Sequence, residues 1–440
     1  MLRVLLSIVI AEFVLQSGHF TVEALHTVEN GTIVDENGHT VHFHGVHWSG
    51  FESGNTMTDG LWGGHSIATD FASVVWRLQL LGFNAVRLPF SFKEFSRTPR
   101  SFQVANCWPP TPAEMAESVV PPGRQNQRQA PDALEHVPVY RDNKCNEYLP
   151  NNSTRDRFIW VVTFLAKNGF YVMISDHLKQ DRGMVVEDME TWAHEWASLV
   201  SDLCLSDPAV KSKLIVDILN EPDAHGMSSW DEVGPKYVRA MDAINEKLAP
   251  MDGVLYAVQG TGQKGLYASQ GDGFATDRIR ELNLSDPSPF FDTVLSKPYR
   301  SRVVLSPHVY PASVTYHFEA SSGEALYDRL TTSFGSKTKE GYCTNEECYR
   351  FGVVIGDFGS KFENEDDIES MRDTALYMND RRDARDGRHL PITNWFFNGW
   401  NANSGIVGGI LDDKWSGIQW RKIEYLRTIG LQPWSLKDIH

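Results

Sequence analysis

An α/β fold of the (β/α)8 TIM-barrel class, built as a single domain, is what this chain predicts, and three observations predict it. Eight strand-length apolar runs recur along the 440 residues. Most are nearly continuous rather than alternating, which marks strands covered on both faces, as in parallel sheets. Between them lie helical periodicities, such as Phe71, Val74, Val75, Leu78 and Leu81, or Trp230, Val233, Tyr237, Met241 and Ile244. The length suits one barrel with insertions. An open doubly wound sheet is the alternative, but no glycine-rich phosphate loop follows any of the runs.

Taken in chain order, residues 1–24 read as a secretory leader. Arg3 supplies the positive end, Leu5 to Leu15 is apolar apart from Ser7 and Glu12, and Val22-Glu23-Ala24 offers small residues before a cut. The barrel domain then occupies residues 25–440. Two turns, Glu29-Asn30-Gly31 and Glu36-Asn37-Gly38, bracket Thr32-Ile33-Val34 and predict a small hairpin ahead of the barrel. The predicted strands are His42–Trp48, Asn84–Phe90, Tyr171–His177, Leu214–Asn220, Val254–Gly260, Val303–Tyr310, Val353–Phe358 and Thr393–Trp400. One long insertion, Arg97 to Asp156, follows the second strand. Its place in the order puts it at the ligand face, as a cleft wall rather than a separate domain.

Composition narrows the partners. A formal charge of −16, from 57 acidic against 41 basic residues, repels nucleic acid and anionic lipid. No segment reaches the length of uninterrupted apolar residues that a bilayer span needs. Five cysteines fit an oxidising compartment. Cys343 and Cys348 lie close in a polar loop and should pair. Cys107 and Cys145 flank the proline-rich insertion and could staple it, leaving Cys204 over; spacing alone does not fix the connectivity. Sequons at Asn30, Asn151, Asn152 and Asn283 suit a secreted protein. A metal is not expected. His42 and His44 share one strand face while His47 points oppositely, and no carboxylate completes a ligand set.

The C-terminal ends of barrel strands carry the reactive groups in this fold. Read in order, those ends are Trp48, Arg87, His177, Asn220 with Glu221, Gln259, His308 with Tyr310, Asp357 and Trp400. Two apolar runs end in carboxylates: Asp217-Ile218-Leu219-Asn220-Glu221-Pro222 and Ile355-Gly356-Asp357-Phe358-Gly359. Two carboxylates delivered into one cleft are what cleavage of a glycosidic bond requires. No Gly-x-Ser-x-Gly elbow is present for a serine hydrolase. Among the 13 tryptophans, Trp48, Trp62, Trp108 and Trp395 are candidate sugar platforms.

Several of these blocks together resemble glycoside hydrolase family 5, the endoglucanase-like enzymes of clan A. They are Gly45-Val46-His47-Trp48-Ser49-Gly50-Phe51-Glu52, Asn84-Ala85-Val86-Arg87-Leu88-Pro89-Phe90, Asn220-Glu221-Pro222, Ser306-Pro307-His308-Val309-Tyr310, Gly356-Asp357-Phe358-Gly359 and Trp400-Asn401-Ala402-Asn403-Ser404-Gly405. The resemblance runs from about Val34 to Leu411. It implies retaining hydrolysis of a β-linked polysaccharide, with Glu221 as acid then base. Asn220 would hydrogen-bond the sugar 2-hydroxyl, Arg87 would hold the nucleophile ionised, Tyr310 would hydrogen-bond that nucleophile, and His308 and His177 would line the site. No cofactor is implied, and a monomer is expected.

The chain also departs from the family. Asp357 stands where the family has its nucleophilic Glu. Its oxygens sit back by roughly 1.5 Å, one carbon–carbon bond, where retention wants the carboxyls about 5–5.5 Å apart. Asn398 occupies the place of a tryptophan that floors the reacting sugar. Gly405-Ile406-Val407-Gly408-Gly409 replaces a polar loop, and Gln259 stands where a Glu is common. These changes raise a second expectation, a carbohydrate-binding protein of the same fold whose catalysis is impaired.

Overall fold

The computed structural model describes residues 27–61, 69–121, 134–140, 143–248, 253–267, 270–316, 318–344, 347–380, 390–405 and 407–433. The secretory leader and Trp62 lie outside them. β1 (Thr27–Glu29) and β2 (Thr32–Val34) form the expected hairpin, with Asn30 (φ 51°) and Gly31 (φ 84°) turning it. Both turn residues are left-handed, as a two-residue primed turn demands.

The barrel strands follow in order: β3 (His44–His47), β4 (Ala85–Phe90), β5 (Tyr171–Asp176), β6 (Leu214–Asp217), β7 (Leu255–Val258), β8 (Val303–Leu305) and β9 (His308–Val309). A surface ribbon, β10 (Tyr342–Cys343) and β11 (Cys348–Tyr349), precedes β12 (Gly352–Val353), β13 (Ile355–Phe358) and β14 (Trp395–Asn398). All eight predicted runs are present. The sixth and seventh are split, and in the sixth Pro307 has no N–H to continue the ladder. The split halves pair twice over, β8 with β12 and β9 with β13, and so close the circle. Every neighbour pair around the barrel is parallel.

Both helical periodicities are helices. Phe71–Leu81 starts at Asp70, whose carboxylate accepts from Ser73 N, and stops at Gly82 in the left-handed region (φ 107°). A Cβ at Gly82 would lie 2.3 Å from the Gln432 carbonyl oxygen, so glycine is required there on two counts. Trp230–Leu248 buries the whole predicted stripe. Among the described residues no helix is long and apolar enough to cross a membrane.

The strands bury two distinct sets of side chains. One face meets the helices. The other fills the barrel interior with Phe43, Ala85, Met173, Ile215, Leu255, Ala257, Val304, Val354 and Phe396, closed from below by Val28 and Ile33 of the hairpin. Gly45 leaves the room that Phe396 fills; a Cβ there would sit 2.1 Å from the ring. The long insertion, in its described parts, fastens to the helix after β3. Tyr140 and Tyr148 donate to Asp70 at 2.6 and 2.9 Å, and Arg77 Nε donates to Ser118 at 2.9 Å. Cys107 is joined to Cys145 and Cys343 to Cys348, and Cys204 is a buried free thiol.

Candidate functional site

Strand pleating places the site. Inward-facing residues recur every second position, so the residue two beyond each apolar inner residue lands one layer nearer the C-terminal mouth. Gly45 is followed in this way by His47, Ala85 by Arg87, Met173 by Ser175, Ile215 by Asp217 and Ala257 by Gln259. The barrel interior therefore changes from an apolar plug to a polar layer in one step. Register holds the layer together, with His47 opposite Arg87, Ser175 opposite Asp217 and Asp357 opposite His308.

Arg87 is the hub of that layer and is fully buried. Its Nη2 donates to Asp217 Oδ2 at 2.8 Å, to Asn220 Oδ1 at 2.7 Å and to Ser175 Oγ at 2.9 Å. Its Nη1 faces His47 Nδ1 at 3.0 Å and Asp357 Oδ2 at 3.4 Å. Burial would depress the guanidinium pKa, but Asp217 and Asp357 outweigh it and hold the charge more firmly than usual. Asp217 is satisfied from three sides: Arg87, Ser175 Oγ at 2.8 Å and Gln259 Nε2 at 2.8 Å.

The two carboxylates at strand ends share this layer. Glu221 sits just after β6 with φ 44° and ψ 62°, a left-handed conformation that costs a non-glycine residue roughly 1–2 kcal/mol. Gln259 Oε1 accepts its N–H at 2.8 Å and fixes that backbone. The Glu221 carboxyl meets His308 Nδ1 at 2.8 Å. Asp357, on the strand paired with His308, has Oδ2 near His47 Nδ1 at 3.3 Å and near Arg87. Its Oδ1 has no hydrogen-bond partner among the described residues. Burial works against ionisation of Asp357, yet His47, Arg87 and His308 together hold its carboxyl below the ordinary range. Tyr310 stands edge-on to the His308 ring. Burial and then the charges of Asp357 and Glu221 push its hydroxyl well above the usual tyrosine range, so it stays protonated.

His177 lies beside His47, ring centroids 5.9 Å apart, and burial together with Arg87 keeps it neutral. Asn398 is half-buried and hydrogen-bonded to Tyr310. Trp48 and Trp400 pack against each other at 0% and 1% exposure, so they support the site from behind and offer no ring face. Trp395 must also be withdrawn as a sugar platform. It is 0% exposed, and its Nε1 donates to the Ile429 carbonyl oxygen. Of the four candidates only Trp108, at 66%, is exposed among the described residues.

Three members of the site went unassigned in the sequence. In the sequence His47 stands among three histidines that lack a carboxylate for a metal set and within the Gly45–Glu52 block, with no role assigned to it. Asp217 and Ser175 lie inside apolar runs, where the sequence alone marks no site. The signal was available as a polar residue two positions beyond an inward apolar one. Gln259, a departure from the family pattern, does work a Glu could not, because its amide donates to Asp217 while its carbonyl accepts from Glu221.

Comparison with known proteins agrees with this architecture. The model of the cellulase family (glycosyl hydrolase family 5) matches residues 135–400. The major extracellular endoglucanase of Xanthomonas campestris pv. campestris is 26% identical over 411 residues, covering 90% of this chain and 69% of that protein. An endoglucanase of Paenibacillus polymyxa is 22% identical over 420 residues, covering 90% and 84%. Among solved structures, the catalytic domain of the Xanthomonas enzyme superposes with a TM-score of 0.59 at 22% identity, over 92% of this chain and 99% of that one. An endocellulase of Pyrococcus horikoshii in complex with cellotetraose gives 0.60 at 20% identity, over 92% and 98%. The fold and its polar mouth define a (β/α)8 barrel with a paired-carboxylate site. This chain belongs to glycosyl hydrolase family 5.

Proposed function

We propose that this protein hydrolyses β-linked glucan, cutting within the chain by a retaining two-carboxylate mechanism. One observation supports the reading: His308 bonds Glu221 and is the register partner of Asp357, so both acids lie beside one histidine. In the first step Asp357 Oδ1 attacks the anomeric carbon, the glycosidic C–O bond breaks, and Glu221 gives its proton to the departing oxygen. In the second, water attacks the same carbon, Glu221 takes its proton, and the bond to Asp357 breaks. What supports Asp357 in the first step is that one oxygen is held by His47 and Arg87 while the other, also buried, has no hydrogen-bond partner among the described residues. Arg87 occupies the Asn220 carbonyl, which leaves that side chain's N–H donors for a sugar hydroxyl. The matched endoglucanases, and the cellotetraose bound by one structural neighbour, support a glucan substrate.

Secretion belongs to the same proposal. Two disulfides suit an oxidising compartment, residues 1–24 read as a leader, and the Xanthomonas relative is extracellular by name.

A second reading has its own support. Asn398 presents an amide where a platform ring would lie, and Asp357 is one methylene short of the family's Glu. A misplacement of about 1 Å can cost on the order of 100-fold in rate. A carbohydrate-binding protein with impaired catalysis would show both features.

The test is incubation with soluble cellulose derivatives and mixed-linkage glucans, using wild type, Glu221→Gln and Asp357→Glu. Cleavage by wild type that Glu221→Gln removes supports the hydrolase. Binding without cleavage, with cleavage gained in Asp357→Glu, supports the binder. Cleavage that survives Glu221→Gln overturns the acid/base assignment.

A further inference from the structure

Behind Asp357 lies a chain of hydrogen-bonding groups that the two-step mechanism does not use. His47 Nδ1 faces two competitors, Arg87 Nη1 at 3.0 Å and Asp357 Oδ2 at 3.3 Å. Arg87 can only donate and an ionised carboxylate can only accept. A bare Nδ1 therefore accepts from Arg87, whereas a protonated Nδ1 donates to Asp357; it cannot do both. The other ring nitrogen, Nε2, lies 3.0 Å from Ser49 Oγ. Ser49 directly precedes Gly50, whose N donates to Glu52 Oε2 at 2.7 Å, so the Glu52 carboxyl lies beside Ser49.

A serine hydroxyl passes this constraint along, because it has one proton to give. With Glu52 ionised, Ser49 donates to it and accepts from His47 Nε2–H. With Glu52 protonated, the order reverses: Glu52 donates to Ser49, Ser49 donates to Nε2, and the ring proton moves to Nδ1.

We propose that Glu52 is a positioning residue whose protonation, relayed through Ser49, sets the tautomer of His47 and thereby decides whether Asp357 receives an N–H. The inference rests on the reading of Asp357 as the attacking carboxylate. With Nδ1–H bonded to it, Asp357 is stabilised and a weaker nucleophile. With Nδ1 bare, Arg87 alone holds its Oδ2.

The surroundings place the switch near neutrality. Burial, reinforced by the nearby charge of Asp59, pushes the Glu52 carboxyl up to about 7. Asp59, held by Asn55 Nδ2 at 2.6 Å, is an ionisable group whose charge acts on Glu52. Around His47 the charged or titratable groups are Arg87 on β4, Asp357 on β13, His177 after β5 and Asp59.

The experiment is nitrogen-15 NMR of histidine-labelled full-length protein from pH 5 to 9, with His47 picked out of the 15 histidines by its absence in His47→Gln. In wild type the His47 signals should change from the Nδ1–H to the Nε2–H pattern as pH rises through neutrality. Glu52→Gln, whose amide donates to Ser49 at every pH, should keep the Nδ1–H pattern throughout. Ser49→Ala cuts the relay without touching Glu52 and should abolish the switch; it serves as the test if Glu52→Gln does not fold. One unchanging tautomer in wild type, or a wild-type switch in either variant, overturns the proposal. The readout needs no turnover. A protein that switches but cleaves nothing sinks only the hydrolase reading, and one that cleaves without switching sinks only this inference.

Discussion

His308 binds Glu221 through Nδ1 at 2.8 Å, and its own backbone sits in register with Asp357. One histidine thus ties the two acids to neighbouring positions of a closed barrel. Strand pairing places Asp357 beside His308, while Glu221 depends on the left-handed backbone after β6 that Gln259 holds.

Arg87 should be the least replaceable residue of the polar layer. Removing it leaves Asp217 buried without its cation. Arg87→Met is expected to lower stability by ~3–5 kcal/mol, read as a shift of the urea unfolding midpoint. Arg87→Lys should recover little, because a lysine cannot reach Asp217, Asn220 and His47 at once.

Gln259 offers a sharper test of geometry. Gln259→Glu would set a carboxylate against Asp217 and remove a donor, leaving buried acceptors facing each other. A loss of ~2–3 kcal/mol is expected, with a fall in kcat as the left-handed backbone of Glu221 loosens. Thermal unfolding and steady-state kinetics read the two effects separately. A variant as stable and as active as wild type would contradict the account.

Acidic groups in and near the site give opposite pH signatures. Burial, then the charges of Glu221 and Asp272, pushes the Asp223 carboxyl up to about 7. A carboxyl raised on folding contributes stability at acid pH that is lost as pH rises from about 4 through 7. Asp357 has the reverse sign: its pKa is lowered on folding, so its contribution is present at neutral pH and is lost as pH falls below about 4. Asp223→Asn should therefore flatten the stability profile between pH 4 and 8, by about 4 kcal/mol, while leaving the acid limb intact. An unchanged slope between pH 4 and 8 would show that Asp223 ionises normally.

The staple across the long insertion should matter more than the short one. Cys107–Cys145 spans 38 positions and Cys343–Cys348 only 5. Opening the first with paired Cys→Ser changes is expected to lower stability by roughly 2–4 kcal/mol, the second by less, since loop-closure entropy grows with loop length. Comparing melting temperatures of the two double variants checks the order.

Much of this was legible in the sequence because barrel strands are covered on both faces and so read as long apolar runs. All eight were found. What the runs conceal is which face each residue takes. Trp48 and Trp395 were candidate platforms because continuous burial leaves no alternation to separate an outward ring from an inward one; both are core. Asp217 and Ser175 were passed over for the same reason. The ends of the runs were more informative: Arg87, His177, Asn220, Glu221, His308, Tyr310 and Asp357 all lie in or around one polar layer. His47 was discounted with two other histidines, although the pleat that turns it away from His42 and His44 is what turns it toward Asp357. The split of the sixth strand was foreshadowed by Pro307, which cannot donate to a ladder.

The most direct test of the central claim, that Glu221 and Asp357 act on one sugar from opposite sides, is proton NMR of the product anomer released first from a β-linked glucan oligosaccharide. The account predicts the β anomer first, through a covalent bond to Asp357, with no release in Glu221→Gln. The α anomer appearing first would contradict it, because water would then have attacked directly and Asp357 would never have bonded to the sugar.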